Sequence, residues 1–408
     1  MPKDETFNGK LTVPATLRRL SDLATPFQEL GVSERTPVIE INASYTPSIL
    51  RDIQKTEGDA EIKQIESEFE LKHTTTGDKV AMLSASTGRY TPGVAAEAGV
   101  GVRFPDEIQG DTVAYFGYFN LDEDKDEILN GLVFGKDKDG NFISIFREGE
   151  EIEKWYQEEW NISSDYDASI GNVLQIRFTY YGYGLIEFRK LESEAGKEGQ
   201  SVKTLHTFRP QGKPTIANSN LRVGAIMYSE EDDDKEYNLY LSGRQFSLLG
   251  PTDFSERIVS HKITDKTIPT DGFTPIMSFI QKDANKAVPF TIQEYELITN
   301  NDVTVQWRVN SDLSKDDDTD LTWITPSDHD PDEVSLQVNE DADNIDMNTG
   351  IKVNESIAVG GAGPSPTSLG EKINLTDIPN GYPVTLCATA EDTEATLDVV
   401  VGKMTEER

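Results

Sequence analysis

Residues 113–119 (VAYFGYF), 130–135 (NGLVFG), 141–147 (NFISIFR) and 175–188 (QIRFTYYGYGLIEF) lie within one stretch, Arg89 to Phe188. Each run is rich in aromatic and β-branched residues. Turn residues separate them, most plainly Lys136-Asp137-Lys138-Asp139-Gly140. This alternation of short apolar runs with Gly, Asp and Asn is the pattern of β-hairpins in an antiparallel sandwich or barrel. Gly182-Tyr183-Gly184, inside the last run, reads as a bend or bulge.

Outward from that stretch, further runs read as strands: 36–43, 61–72, 79–86, 201–208, 221–228 and 237–249. Residues 61–250 then hold about ten strands, enough for one jelly-roll-like β-sandwich. A boundary is expected at Gly250-Pro251, followed by a connecting segment, 251–286, and a smaller β domain, 287–408. Within the latter, Val303, Val305, Trp307 and Val309 have strict period two. Ahead of the sandwich, residues 1–60 read as an arm or anchor. Leu17, Leu20 and Leu23 suit a short amphipathic helix, and Thr25-Pro26 followed by Gln28 reads as a second helix start. The expected fold class is mainly β.

Charge narrows the partners. The chain has 73 acidic against 38 basic residues, a formal net charge of −35. Nucleic acid is excluded as a partner, because phosphate binding needs a basic face. Anionic membrane surfaces are disfavoured on the same ground, and no window approaches the ~20 apolar residues of a membrane span. The acids are dispersed along the whole chain. Two readings fit: an ordinary soluble acidic surface, or adaptation to high salt, where screening removes self-repulsion. The N-terminal ten residues are polar and unlike a signal peptide. Cys387, the single cysteine, lies in an apolar run and reads as a small buried hydrophobe.

Few residues point to chemistry. The four histidines, His73, His206, His261 and His329, have no zinc-ligand spacing. Asp137 and Asp139 are weak metal candidates, since their loop lacks the remaining ligands of a calcium site and suits a hairpin turn better. Trp155, Tyr156 and Trp160 are candidate sugar-contact aromatics, with Tyr180, Tyr181 and Tyr183 nearby in sequence. No nucleophile elbow, P-loop or dinucleotide fingerprint is present. No catalytic residue and no cofactor is assigned. Asn42, Asn161, Asn354 and Asn374 stand in N-x-S/T sequons.

Several phrases, in order, resemble a family of β-rich structural proteins of tailed phages and of tailed viruses of haloarchaea. Phe27 to Glu34 (FQELGVSE), then Pro37 to Glu40 (PVIE), is similar to F-G-x-L-R-V-S-E followed by P-x-L-F-D. Here Gln28 and Gly31 replace a Gly and an Arg, and Glu40 replaces an Asp. Arg89-Tyr90-Thr91-Pro92-Gly93 is like the family's R-Y-x-P-G. Asn130 to Gly135, Gly140 and Trp160-Asn161 follow. Gln175 to Phe188 resembles Q-I-x-[FY]-x-[YW]-x-G-x-G-x-I-x-F, and His206 with Asn218 to Leu221 completes the series. The likeness covers residues 27 to about 250.

The resemblance implies a non-enzymatic protein on the exterior of a virion, made in the host cytoplasm: a capsid turret, head fibre or tail-associated adhesin. Its implied partners are further copies of itself (a pentamer or trimer), the major capsid or tail protein, and a host-surface glycan or S-layer. Two rivals stand beside it: a polysaccharide-cleaving hydrolase on a β scaffold, and a cellular adhesin, which the lack of a signal peptide opposes. The charge reading has its own test. Thermal unfolding followed in rising KCl should shift upward steadily if the acids are a high-salt adaptation; a flat or falling midpoint would leave only the ordinary acidic surface.

Overall fold

The structure is a computed structural model that describes residues 35–75, 77–122, 126–162, 165–179, 182–193, 200–229, 235–250, 256–281, 290–317, 319–326, 336–360 and 381–407. The expected N-terminal helices, Tyr180 and Tyr181, His329 and Asn374 lie outside the described residues.

Strands from Arg35 to Leu249 build the first domain. In chain order they are β1 (Arg35–Ile41), β2 (Asp52–Glu57), β3 (Glu61–Ile65), β4 (Glu68–His73) and β5 (Lys79–Ser84). Next come β6 (Ala95–Arg103), β7 (Val113–Leu121), β8 (Ile128–Asp137), β9 (Gly140–Arg147) and β10 (Glu150–Tyr156). Last are β11 (Asn172–Phe178), β12 (Ile186–Ser193), β13 (Gln200–Phe208), β14 (Arg222–Tyr228) and β15 (Tyr237–Leu249). They pair into an eight-stranded antiparallel sheet, β13-β12-β11-β6-β15-β4-β3 with β1 also on β15, and a seven-stranded one, β10-β9-β8-β7-β14-β5-β2. The two sheets face each other as a β-sandwich.

Alternation explains the sandwich core. Along β7, Ala114, Phe116 and Tyr118 join the inter-sheet cluster, which Leu132, Phe134, Ile143, Ile145, Ile176 and Phe188 continue from other strands. The intervening positions are not polar. Tyr115, Phe119, Val133, Phe142, Phe146 and Ile226 form a second apolar cluster on the opposite face of the seven-stranded sheet. Tyr115 meets Phe142 and Phe146 edge-on, with ring centroids 5.5 and 5.4 Å apart. Gly135 makes room: a side chain there would run into the Phe142 ring. Lys154 closes over that ring, its Nζ 3.9 Å from the centroid.

One end of the core holds a buried ion pair. Arg244 follows a bulge in β15 and reaches Asp52 at the start of β2, so it links the two sheets. Both side chains are at most 1% exposed. Asp52 also accepts from the Ser48 N–H at 2.9 Å, while Nε and Nη1 of Arg244 have no hydrogen-bond partner. Burial presses the Arg244 pKa down and Asp52 opposes that.

The second domain comprises β16 (Glu256–Ile268), β17 (Thr274–Gln281), β18 (Phe290–Thr299), β19 (Val303–Val309) and β20 (Leu313–Ser314). It continues with β21 (Leu336–Asn339), β22 (Asn344–Ile345), β23 (Ile351–Ala358), β24 (Val384–Ala390) and β25 (Ala395–Glu407). A three-stranded sheet, β16-β25-β18, and a five-stranded sheet, β21-β17-β24-β19-β23, enclose Phe279, Tyr295 and Trp307. Cys387 is buried too, at a β24 position between those that join this cluster, and burial pushes its pKa up to about 12.

Two expected boundaries move. Residues 35–57, taken as part of an arm, belong to the sandwich: β1 pairs with β15, and β2 pairs with β5. Likewise 256–281, taken as a connector, supplies β16 and β17 of the second domain, bonded to β25 and β24. In each case the pairing partner is far away in sequence, beyond the reach of local patterning. The buried pair yields a stability prediction. Asp52→Ala leaves the Arg244 charge uncompensated and should cost roughly 3–5 kcal/mol in urea unfolding, whereas the double change Asp52→Leu with Arg244→Met should recover most of it.

Candidate functional site

The residues singled out in the sequence do not converge. Asp137 ends β8, and its Oδ1 accepts the backbone N–H groups of Asp139 (2.9 Å) and Gly140 (3.2 Å), holding the hairpin turn. Its Oδ2 accepts from Lys154 Nζ (2.8 Å) and Tyr156 Oη (3.0 Å). Asp139 is exposed, beside Lys138 at 3.5 Å. Four donors thus surround Asp137, and the described residues contain no cluster of three or more His, Cys, Asp or Glu able to hold a metal ion.

The aromatic candidates separate by strand alternation. Tyr156 lies with the outer cluster of the seven-stranded sheet, while Trp155 packs on the inter-sheet core. Trp160 is buried, with Nε1 donating to the Trp155 carbonyl at 3.1 Å and its ring near Tyr166. Tyr183 is 51% exposed in the β11–β12 turn. These side chains form no common platform. Trp155 instead backs a different feature: its ring lies 4.4 Å from His206 and 5.2 Å from Phe208, at the end of β13. Burial lowers the His206 pKa, and the ring nitrogen Nδ1 accepts the Asn161 N–H at 3.3 Å.

Beyond Phe208 the chain forms one wall of a cleft of about 500 Å³. The β9–β10 hairpin forms the other, through Arg147, Ile152 and Glu153 on either side of its turn. Arg147, Glu153, Phe208, Arg209, Lys213 and Thr215 line it, with Ile152, Pro210 and Pro214 adding apolar surface. The turn is tight because Glu148 (φ 53°) and Gly149 (φ 82°) both take left-handed conformations, the geometry of a two-residue hairpin. Three cations therefore meet one carboxylate, Glu153, among the described residues lining the cleft.

The two walls are tied together. Asn130, 3% exposed at the start of β8, accepts through Oδ1 from the N–H of Glu148 in the turn (3.4 Å) and of Ala217 in the loop (3.0 Å). Arg147 Nη1 donates to the Pro214 carbonyl at 3.0 Å. The Thr215 N–H bonds to the Gly182 carbonyl at 3.1 Å, joining the loop to the β11–β12 turn as well. The Thr215 hydroxyl, on a residue only 2% exposed, has no hydrogen-bond partner.

Sequence reasoning missed this cleft, although a signal existed. From Gly199 to Ser229 the chain has no Asp or Glu, yet it contains Lys203, Arg209, Lys213 and Arg222. No other part of this acidic chain goes so far without an acid.

No protein-family model matches the chain, and no curated protein matches it. Among solved structures, it is similar to a Shewanella oneidensis protein of unknown function, at 10% identity and TM-score 0.35, over 60% of this chain and 99% of that one. The metal-free form of lectin I-B4 from Griffonia simplicifolia matches at 10% identity and TM-score 0.33, over 52% and 99%. A legume lectin-like domain from Entamoeba histolytica matches at 12% and 0.32, over 51% and 96%. At such scores the β-sandwich rests on this chain's own strand pairing.

The clamp at Asn130 is testable. Asn130→Ala removes the acceptor for both walls and should cost about 1–3 kcal/mol of stability. Hydrogen exchange at the Glu148 and Ala217 amides should quicken with it, while Asn130→Asp, which keeps the acceptor, should preserve their protection. Unchanged exchange in the Ala variant would mean the walls are held by something else.

Proposed function

We propose that this chain is a non-enzymatic adhesion protein on the surface of a virus particle, of the tailed-virus kind that its sequence resembles, and that it holds a host-surface polysaccharide in the cleft beside Asn130. Binding sites on loops carried by a rigid scaffold are a common arrangement, and the loop walls here rest on the two sheets of the sandwich.

The observation that carries the reading is the make-up of the cleft. It has apolar surface for the C–H face of a sugar ring (Phe208, Ile152, Pro210, Pro214) and hydrogen-bonding groups around it. Glycoside hydrolysis ordinarily uses two carboxylates flanking the scissile bond, and among the described lining residues Glu153 stands alone. That arrangement favours binding over cleavage. A homo-oligomer, pentameric or trimeric according to the particle's local symmetry, belongs to the same proposal.

Two measurements test it. Mass spectrometry of density-purified particles should find this chain in fixed ratio to the major capsid protein; its absence from particles would remove the virion assignment. Incubation with host-surface polysaccharides should yield retention without new reducing ends. Release of reducing ends would replace the adhesion reading with the hydrolase one.

A further inference from the structure

We infer that the cleft recognises a single anionic substituent on a sugar, a carboxylate or a sulfate ester, through Arg147, Arg209, Lys213 and the Thr215 hydroxyl. The inference deepens the polysaccharide-binding reading and rests on it.

The first ground is how basic side chains are used in this molecule. With 73 acids against 38 bases, many cations elsewhere find carboxylates. Arg103 pairs with Glu68 at 2.7 Å, Lys136 with Glu107 at 3.2 Å, Lys154 with Asp137 at 2.8 Å, and Lys315 with Asp341 at 2.6 Å. Among the described residues, Arg147, Arg209 and Lys213 make no ion pair, although all three line one cleft. Arg147 uses one donor on the Pro214 carbonyl. A guanidinium has five N–H donors in a planar fork, so the rest remain for an oxyanion, which it can grip bidentately.

The second ground is Thr215. A buried hydroxyl without a partner forgoes a hydrogen bond that is expensive to leave unmade. Thr215 is 2% exposed, lines the cleft, and its Oγ1 has no partner. A small shift of the Thr215 side chain from its buried position would let an oxyanion seated among the three cations accept that O–H. The two observations are independent, since one concerns surface charge and the other a buried neutral group.

The rest of the molecule limits the ligand to an isolated charge. A net charge of −35 makes the surrounding potential strongly negative. A densely charged polyanion would gain at the cleft and lose everywhere beyond it. Glu153, on the cleft wall, favours sugar hydroxyls as neighbours of the bound anion rather than a second anion. The expected ligand is an otherwise neutral glycan carrying one acidic group. Contact-range bonds of this kind also survive concentrated salt, where the Debye length is about 3 Å at 1 M.

The test offers the full-length protein a panel of host-surface oligosaccharides in three forms: carboxylated, carboxyl-reduced to the alcohol, and sulfated at the same position. Titration calorimetry should show the carboxylated or sulfated form bound about tenfold or more tightly than the reduced one, and comparison of the two acidic forms identifies the group. The double variant R209Q/K213Q, at exposed positions, should lose that preference with its melting temperature unchanged. T215V should weaken the acidic form alone. Equal binding of acidic and reduced forms would overturn the anion inference while leaving polysaccharide binding intact. Binding of no form would overturn both. Tighter, Arg209-dependent binding of heparin or DNA would overturn the restriction to one isolated charge, and with it the inference.

Discussion

Burial of the seven-stranded sheet on both faces is the constraint on which the rest of the structure depends. A one-sided sheet buries alternate positions, but β7, β8 and β9 are buried at most positions on both faces. The inner face is covered by the other sheet, as in any sandwich. The outer face has no third layer among the described residues and is covered largely by its own aromatics, Tyr115, Phe142 and Phe146 packed edge to face, with Lys154 laid across Phe142. Glycine at 135 is what lets the Phe142 ring lie down on the strand. Slipping the register of β9 by one residue would exchange the two apolar sets and lose both packings. Strands β8 and β9 are therefore firmly placed, and so are Asn130 and the turn after Arg147 that they carry.

Electrostatics sets the paired charges of the sandwich apart from those of the cleft. Several of the buried charges are paired. Even the deeply buried Arg244 has Asp52 beside it, and the outer face of the eight-stranded sheet seats Glu97 between Arg35 (3.1 Å) and Arg189 (3.6 Å). In the cleft, three solvent-facing or half-buried cations gather with no carboxylate bound to them among the described residues. Such a local reversal matters more in this chain than it would in a neutral one, because a small positive region inside a negative field is strongly localised. It marks out one place on the surface as chemically different from the rest.

The aromatic residues illustrate how far one-dimensional reading goes. Trp155 and Tyr156 are adjacent, so period two alone places them on opposite faces of β10, and no shared sugar platform could include both. Trp160 follows a short 3-10 turn, Gln157–Glu159, that carries it back under the sheet to meet Tyr166. That excursion is not encoded in any spacing. Asp137 is similar: the sequence presents it as a turn residue with a slight likeness to a metal ligand, and only the approach of Lys154 and Tyr156 from β10 reveals that donors surround its carboxylate.

By itself, the sequence determined the mainly β, antiparallel sandwich class, many strands of the first domain, the burial of Cys387 and the strongly acidic composition. These depend on composition, alternation and turn residues, all of which are local. The membership of β1 and β2 in the sandwich, the link from β15 to β2 through Arg244 and Asp52, and the cleft were decided only by tertiary structure. Arg147 ends β9 and Lys213 lies in the crossing from β13 to β14, and what brings them together is a chain of strand pairings from β8 to β9 and from β12 to β13, completed by the two hydrogen bonds of Asn130. Long-range pairing is a cooperative property of the whole sheet, so no window of sequence contains it.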